Sequence, residues 1–126
     1  MRVILIDDDE ALLKILEDGL SQSGYTISIA TNGSLINDVI DAHDPDVVIT
    51  DILMPRKEGI ETIIDIKSKR PELPIIAMSG GGHMSGDTVL GLANSIGADA
   101  TILKPFRIGE LINIIEYVTR NKHNCD

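Results

Sequence analysis

The sequence predicts an α/β protein: one doubly wound parallel sheet with helices on both faces. Three observations predict it. Short apolar runs at residues 3–6, 25–30, 47–49, 75–78 and 100–103 each stop at a polar or charged residue. Stretches with apolar residues at helical spacing separate these runs. The alternation continues without a linker, a composition break or a solenoid-type repeat, which implies a parallel sheet with right-handed crossovers. Of the two common doubly wound orders, five strands suit 2-1-3-4-5, with strands one and three adjacent at the centre.

The first strand is Val3-Ile4-Leu5-Ile6, cut off by Asp7-Asp8-Asp9. Leu12, Ile15, Leu16, Gly19 and Leu20 give the first helix an inward stripe, and acids at its start favour the helix dipole. Ser23-Gly24 ends it. Residues 25–30 form the second strand, and Leu35, Ile36, Val39 and Ile40 the stripe of the second helix. Val47, Val48 and Ile49 are β-branched and fit a strand buried on both faces, ending at Asp51. Pro55 stops that strand from continuing. The third helix covers residues 59–69, with Ile60, Ile63 and Ile64 facing in. Lys67, Lys69 and Arg70 at its exit complement the dipole. The fourth strand ends at Ser79 and leads into Gly80-Gly81-Gly82. A fourth helix, residues 87–96, is weakened by Gly86 and Gly91. The fifth strand ends at Lys104-Pro105, and Ile108, Leu111, Ile112, Ile115 and Val118 mark the fifth helix. Residues 1–122 are expected to be one domain, and 123–126 a frayed polar tail.

Composition narrows the function. Hydrophobic residues make up 43% of the 126, which suits a globular chain with one core. A formal charge of -9 argues against direct binding of nucleic acid or an anionic membrane. No apolar stretch nears the roughly 20 residues needed to span a bilayer. The single cysteine, Cys125, forms no internal disulfide and no metal cluster, which suits a reducing cytoplasm.

The polar residues of interest fall at strand ends: Asp7 and Asp8 after strand one, Asp51 at strand three, Ser79 at strand four, Lys104 at strand five. In a parallel sheet these share one edge, where ligands bind in such folds. Taken alone, Asp51 could equally cap the next helix, and Asp9 is assigned to capping. Three carboxylates in one crevice repel each other, and Mg²⁺, with its preference for oxygen ligands, relieves that repulsion. A carboxylate, Mg²⁺, a lysine and a hydroxyl together stabilise charge on a transferring phosphoryl group. A carboxylate can itself be the nucleophile. His43 and His123 lie in polar context and are read as solvated, and His83, near the crevice but after the glycine loop, is given no metal or catalytic role.

At these residues the chain resembles the receiver domain of two-component response regulators. The matching stretches are Ile6-Asp7-Asp8-Asp9, Asp51-Ile52-Leu53-Met54-Pro55 with Gly59, Met78-Ser79-Gly80, and Lys104-Pro105-Phe106. The resemblance implies a flavodoxin-like (βα)5 sandwich. It implies that Asp51 accepts a phosphoryl group from the phosphohistidine of a sensor histidine kinase or a histidine phosphotransfer protein. Asp8, Asp51 and the Leu53 main-chain carbonyl would bind Mg²⁺ directly, and Asp7 through water. Ser79 and Lys104 would contact phosphoryl oxygens, and the peptide before Pro105 would be cis. Ser79 and the position of Thr101 would form the switch, presenting the helix 4–strand 5–helix 5 face to an effector protein or domain. Receivers often carry an aromatic residue where this chain has Thr101, so the usual rotamer switch is not expected in that form. The implied protein is a cytoplasmic phosphoacceptor, a monomer or a phosphorylation-dependent dimer. Its chemistry would be limited to self-directed phosphotransfer and autodephosphorylation.

Rival functions fit less well. A haloacid-dehalogenase-type phosphatase would place an acid two residues beyond its nucleophile, where this chain has Leu53. A flavin-binding relative needs a Ser/Thr/Gly-rich phosphate loop after strand one, where this chain has acids. A phosphorylation-dead interaction module would lack an acid or the lysine. The chain leaves no room for an effector domain, so it is expected to be a stand-alone receiver or a piece of a longer regulator.

Overall fold

The structure is a computed structural model that describes residues 1–30, 36–52, 59–79 and 97–124. Its elements run β1 (Arg2–Ile6), α1 (Glu10–Gln22), β2 (Thr26–Ala30), α2 (Ile36–His43), β3 (Val47–Asp51), α3 (Gly59–Lys69), β4 (Ile75–Ser79), β5 (Ala100–Leu103) and the C-terminal helix α4 (Ile108–Asn124). The helix predicted at 87–96, the triple glycine, His83, Leu53 and Pro55 lie outside the described residues.

The five strands form one parallel sheet in the order β2-β1-β3-β4-β5, as predicted. Alternating side chains feed two cores. Ile4, Ile6, Val48, Ile75 and Ala77 pack toward α2 and α3 with Ile36, Ile40, Ile63 and Ile66. Val3, Leu5, Val47, Ile49, Ile76 and Met78 pack toward α1 and α4 with Leu13, Leu16, Leu20, Leu111 and Ile115. Both faces of β3 and β4 are buried throughout, which is why their sequences read as continuous apolar runs. Each fully buried Ile or Leu contributes roughly 1.5–3 kcal/mol of transfer free energy. The two cores therefore clamp the central strands, and their carboxyl ends are fixed.

Helix phase differs from the expectation at two places. Ile15 is 62% exposed, and the buried stripe of α1 is Leu13, Leu16 and Leu20. Ile64 is 47% exposed, while Thr62, Ile63 and Ile66 are buried in α3. In both cases a neighbouring apolar residue, at about 100° per position around the helix, falls off the face that meets the sheet. The second strand starts at Thr26, because Tyr25 completes the exit of α1. The N–H groups of Tyr25 and Gly24 donate to the carbonyls of Leu20 and Ser21 at 3.1 Å each, and Gly24 takes φ +96°, a Schellman ending. The C-terminal helix extends to Asn124, beyond the buried Val118. Residues 123 and 124, expected to belong to the polar tail, are thus helical, since each added residue closes a further backbone hydrogen bond.

Lys67 does more than complement a dipole. Its ammonium donates to the carbonyls of Pro71 (3.2 Å) and Leu73 (2.8 Å) and to Asp99 Oδ2 (2.9 Å). The same Asp99 oxygen accepts the Ile75 N–H at 2.8 Å, so one knot joins the exit of α3 to the starts of β4 and β5. Arg70 pairs with Asp41 at 2.8 Å and links α3 to α2.

Candidate functional site

The strand register brings the predicted residues to one edge. Ile6 lies beside Thr50, Asp51 beside Met78, and Ser79 beside Leu103. The ladder continues past the strand ends, with Asp7 N–H donating to the Ala30 carbonyl (3.3 Å) and Lys104 N–H to the Ser79 carbonyl (2.7 Å). Asp7, Asp51 and Lys104 therefore leave neighbouring strands at nearly one level.

Their side chains meet. Lys104 Nζ donates to Asp7 Oδ2 at 2.7 Å and to Asp51 Oδ2 at 3.3 Å. Asp7 is fully buried and Asp51 is 6% exposed. Carboxylates that deep are costly unless paired, and the ammonium supplies the pairing. Burial alone pulls the Lys104 pKa down. The hydrogen bond to Asp7 and the charges of Asp51 and Asp7 outweigh burial and leave it above the usual lysine value. The second Asp7 oxygen, Oδ1, accepts the Asp9 N–H at 2.9 Å.

One carboxylate oxygen from each of Asp7, Asp8 and Asp51 lies within 4.8 Å of the others. Asp8 is exposed and closes the group on its solvent side. An all-oxygen, anionic donor set with one open side suits a hard divalent cation that keeps some of its water. These acids can hold such an ion, and Lys104 already bridges two of them.

The remaining predicted residues stand as follows. Ser79 is buried at the end of β4, level with the acids across the sheet. The Lys104–Pro105 peptide is cis. Thr101 is half-buried and paired in register with Ala77, and so lies back from the crevice. The Leu53 carbonyl lies outside the described residues.

Two features escaped the sequence reading. Asp9 caps α1 as expected, its Oδ1 accepting the Leu12 N–H at 3.1 Å, and the feature not foreseen is that its own N–H fixes Asp7. Beside the site, a groove of about 270 Å³ runs between α1 and the loop after β5, with Ile15, Lys104 and Phe106 among its walls. Apolar periodicity had assigned Ile15 to the core. Its place one residue from the true stripe was the available signal.

The profile of the response regulator receiver domain matches residues 3–116 of this chain. The chain belongs to the receiver domain family. It is 35% identical over 112 residues to the response regulator MprA of Mycolicibacterium vanbaalenii, covering 89% of this chain and 47% of that protein. The MprA of Mycobacterium avium is likewise 35% identical, over 89% of this chain and 48% of its own. The chain thus spans about half the length of these relatives. Among solved structures, the receiver domain of NtrX from Brucella abortus is similar with a TM-score of 0.85 at 27% identity, covering 94% of this chain and 98% of that one. A CheY-like receiver domain protein from Methanospirillum hungatei gives 0.87 at 26% identity, over 98% and 96% of the two chains. This receiver is accordingly a signalling domain of two-component systems, with the acid cluster of its family at the strand ends. Among the described residues, no helix is long and apolar enough to cross a membrane.

Proposed function

We propose that residues 1–122 act as one cytoplasmic receiver unit that accepts a phosphoryl group on Asp51 from the phosphohistidine of a sensor histidine kinase or a histidine phosphotransfer protein. The observation that carries this is the meeting of Asp7, Asp8, Asp51 and Lys104 in one crevice at the carboxyl edge of the sheet. An Asp51 carboxylate oxygen attacks phosphorus, the P–N bond breaks, and the imidazole nitrogen keeps the electron pair. The product is an acyl phosphate. Asp8, Asp51 and the Leu53 carbonyl would hold Mg²⁺ directly, and Asp7 would hold it through water. When bound, Mg²⁺ would offset charge on the phosphoryl oxygens. Lys104 would shift part of its pairing from Asp51 to an incoming phosphoryl oxygen, at little cost because its stem is flexible.

Ser79 would donate its hydroxyl to another phosphoryl oxygen. That movement would bias the face formed by residues 87–96, β5 and α4, with Thr101 at the switch position, toward an effector protein or domain. The unit is not an enzyme toward other substrates: its phosphotransfer and autodephosphorylation act on Asp51 alone. It is a monomer or dimerises on phosphorylation.

The test is labelling by a small phosphodonor such as acetyl phosphate in Mg²⁺, followed by peptide mapping. The label is expected on Asp51 and should be lost in Asp51→Asn. Full labelling of that variant would refute the assignment.

A further inference from the structure

Asp9 stands outside the acid cluster, yet it touches the site through its main chain. Both Asp7 carboxylate oxygens accept hydrogen bonds. Oδ2 accepts from Lys104 Nζ at 2.7 Å, and Oδ1 accepts from the Asp9 N–H at 2.9 Å. The direction of that N–H depends on the Asp9 backbone, which is extended at φ -87° and ψ 96°. That conformation is the N-cap conformation of α1, and the Asp9 side chain secures it by accepting the Leu12 N–H at 3.1 Å. Helix α1 is in turn anchored by Leu13, Leu16 and Leu20, each at most 3% exposed. A continuous path therefore runs from the core through α1 and its cap to Asp7, then through Lys104 to Asp51.

We infer that Asp9 is a positioning residue of the phosphoacceptor site: by capping α1 it aims its own N–H at Asp7, and so sets the rotation of a carboxylate that faces Lys104 and the cation position. The inference rests on the phosphoacceptor reading given above. Without the cap oxygen, the Asp9 backbone is free to leave the extended conformation and its N–H swings away from Asp7 Oδ1. Asp7 then loses the donor on Oδ1 and can turn, and Lys104 follows it. Partners that orient metal-binding groups from outside typically change metal affinity about 10-fold or more when removed. The cap oxygen is what matters here, and the charge of Asp9 is secondary, because the link to Asp7 is made by an amide.

The experiment compares Mg²⁺ affinity by titration calorimetry in the whole 126-residue chain and four variants, with the Asp9 amide followed by NMR. Asp9→Ala removes the cap. Asp9→Asn and Asp9→Ser keep a cap oxygen without the charge. Ile15→Gly, at an exposed position of the same helix, lowers helix stability while leaving the cap intact. Asp9→Ala is expected to weaken Mg²⁺ binding about 10-fold and to shift the Asp9 amide resonance upfield as its bond to Asp7 is lost. Asp9→Asn and Asp9→Ser should stay near wild type in both readouts. Ile15→Gly should lower the melting temperature with Mg²⁺ affinity unchanged, which separates positioning from general destabilisation. Equal affinity in Asp9→Ala and wild type would overturn the inference while leaving the phosphoacceptor reading intact. Loss of affinity in Asp9→Asn as large as in Asp9→Ala would assign the effect to charge and also overturn it. A wild type that binds no Mg²⁺ would remove the metal reading itself, and the positioning role with it.

Discussion

At the scale of single residues, Lys104 decides the state of the site. It is the cation that joins Asp7 to Asp51, and Asp7 has almost no exposure of its own. Lys104→Met keeps the stem but leaves two carboxylates facing each other. Removing one partner of a buried ion pair typically costs about 3–5 kcal/mol, so the metal-free variant should lose about that much stability in urea unfolding. Saturating Mg²⁺ should recover part of the loss, because a bound ion replaces the missing charge and stabilises the folded state by mass action. The pH dependence has a defined sign. The Lys104 pKa is raised above 10.5 in the folded protein. The stability it contributes is therefore fully present below about pH 10.5 and is lost as pH rises through the folded value. Metal-free wild type should show an alkaline decline in unfolding free energy in that window, and Lys104→Met should show a smaller one. Asp7, Asp8, Asp51, Ser79 and Lys104 were all legible in the sequence because each ends an apolar run. The Asp9 amide was not legible, because a main-chain donor carries no sequence signal.

At the scale of elements, the packing of α1 against α4 sets how closely the two helices can approach. A Cβ on Gly19 would meet Ile108 Cδ1 and Cγ1 at 2.8 Å each. Alanine at 19 would gain roughly 0.5–1 kcal/mol of helix propensity. Overpacking against a β-branched side chain typically costs 1–3 kcal/mol, so Gly19→Ala should be destabilising by about 1 kcal/mol net. Ile108→Ala in the same chain should relieve the clash. A double-mutant cycle read by thermal unfolding is expected to show favourable coupling between the two substitutions. Additive effects would mean that Ile108 rotates away freely. Sequence periodicity located every described helix but misjudged Ile15 and Ile64. Adjacent apolar residues compete for the inward face, and the sheet's placement settles which one is buried. Lys67 shows the same limit: its position at the end of α3 suggested the dipole, while its contacts with Leu73 and Asp99 required the fold of residues distant in sequence.

At the scale of the whole molecule, a chain with formal charge -9 concentrates three acids at one sheet edge, with the Lys104 ammonium between two of them. Mg²⁺ should therefore raise the melting temperature of wild type, and Asp8→Ala should shrink that rise by removing the exposed acid of the group. A melting temperature indifferent to Mg²⁺ would count against the site.

The sequence alone determined the order of elements, the parallel sheet and the family of residues at its edge. Those follow from local rules: apolar periodicity, strand-ending acids, and crossover handedness. Tertiary structure alone decided that Lys104 bridges Asp7 and Asp51, that Asp9 holds Asp7, and that Ile15 faces a groove beside the site. These depend on distances between groups far apart in the chain. Asp7 and Lys104 are separated by 97 positions, and only the register of the clamped central strands brings them to 2.7 Å.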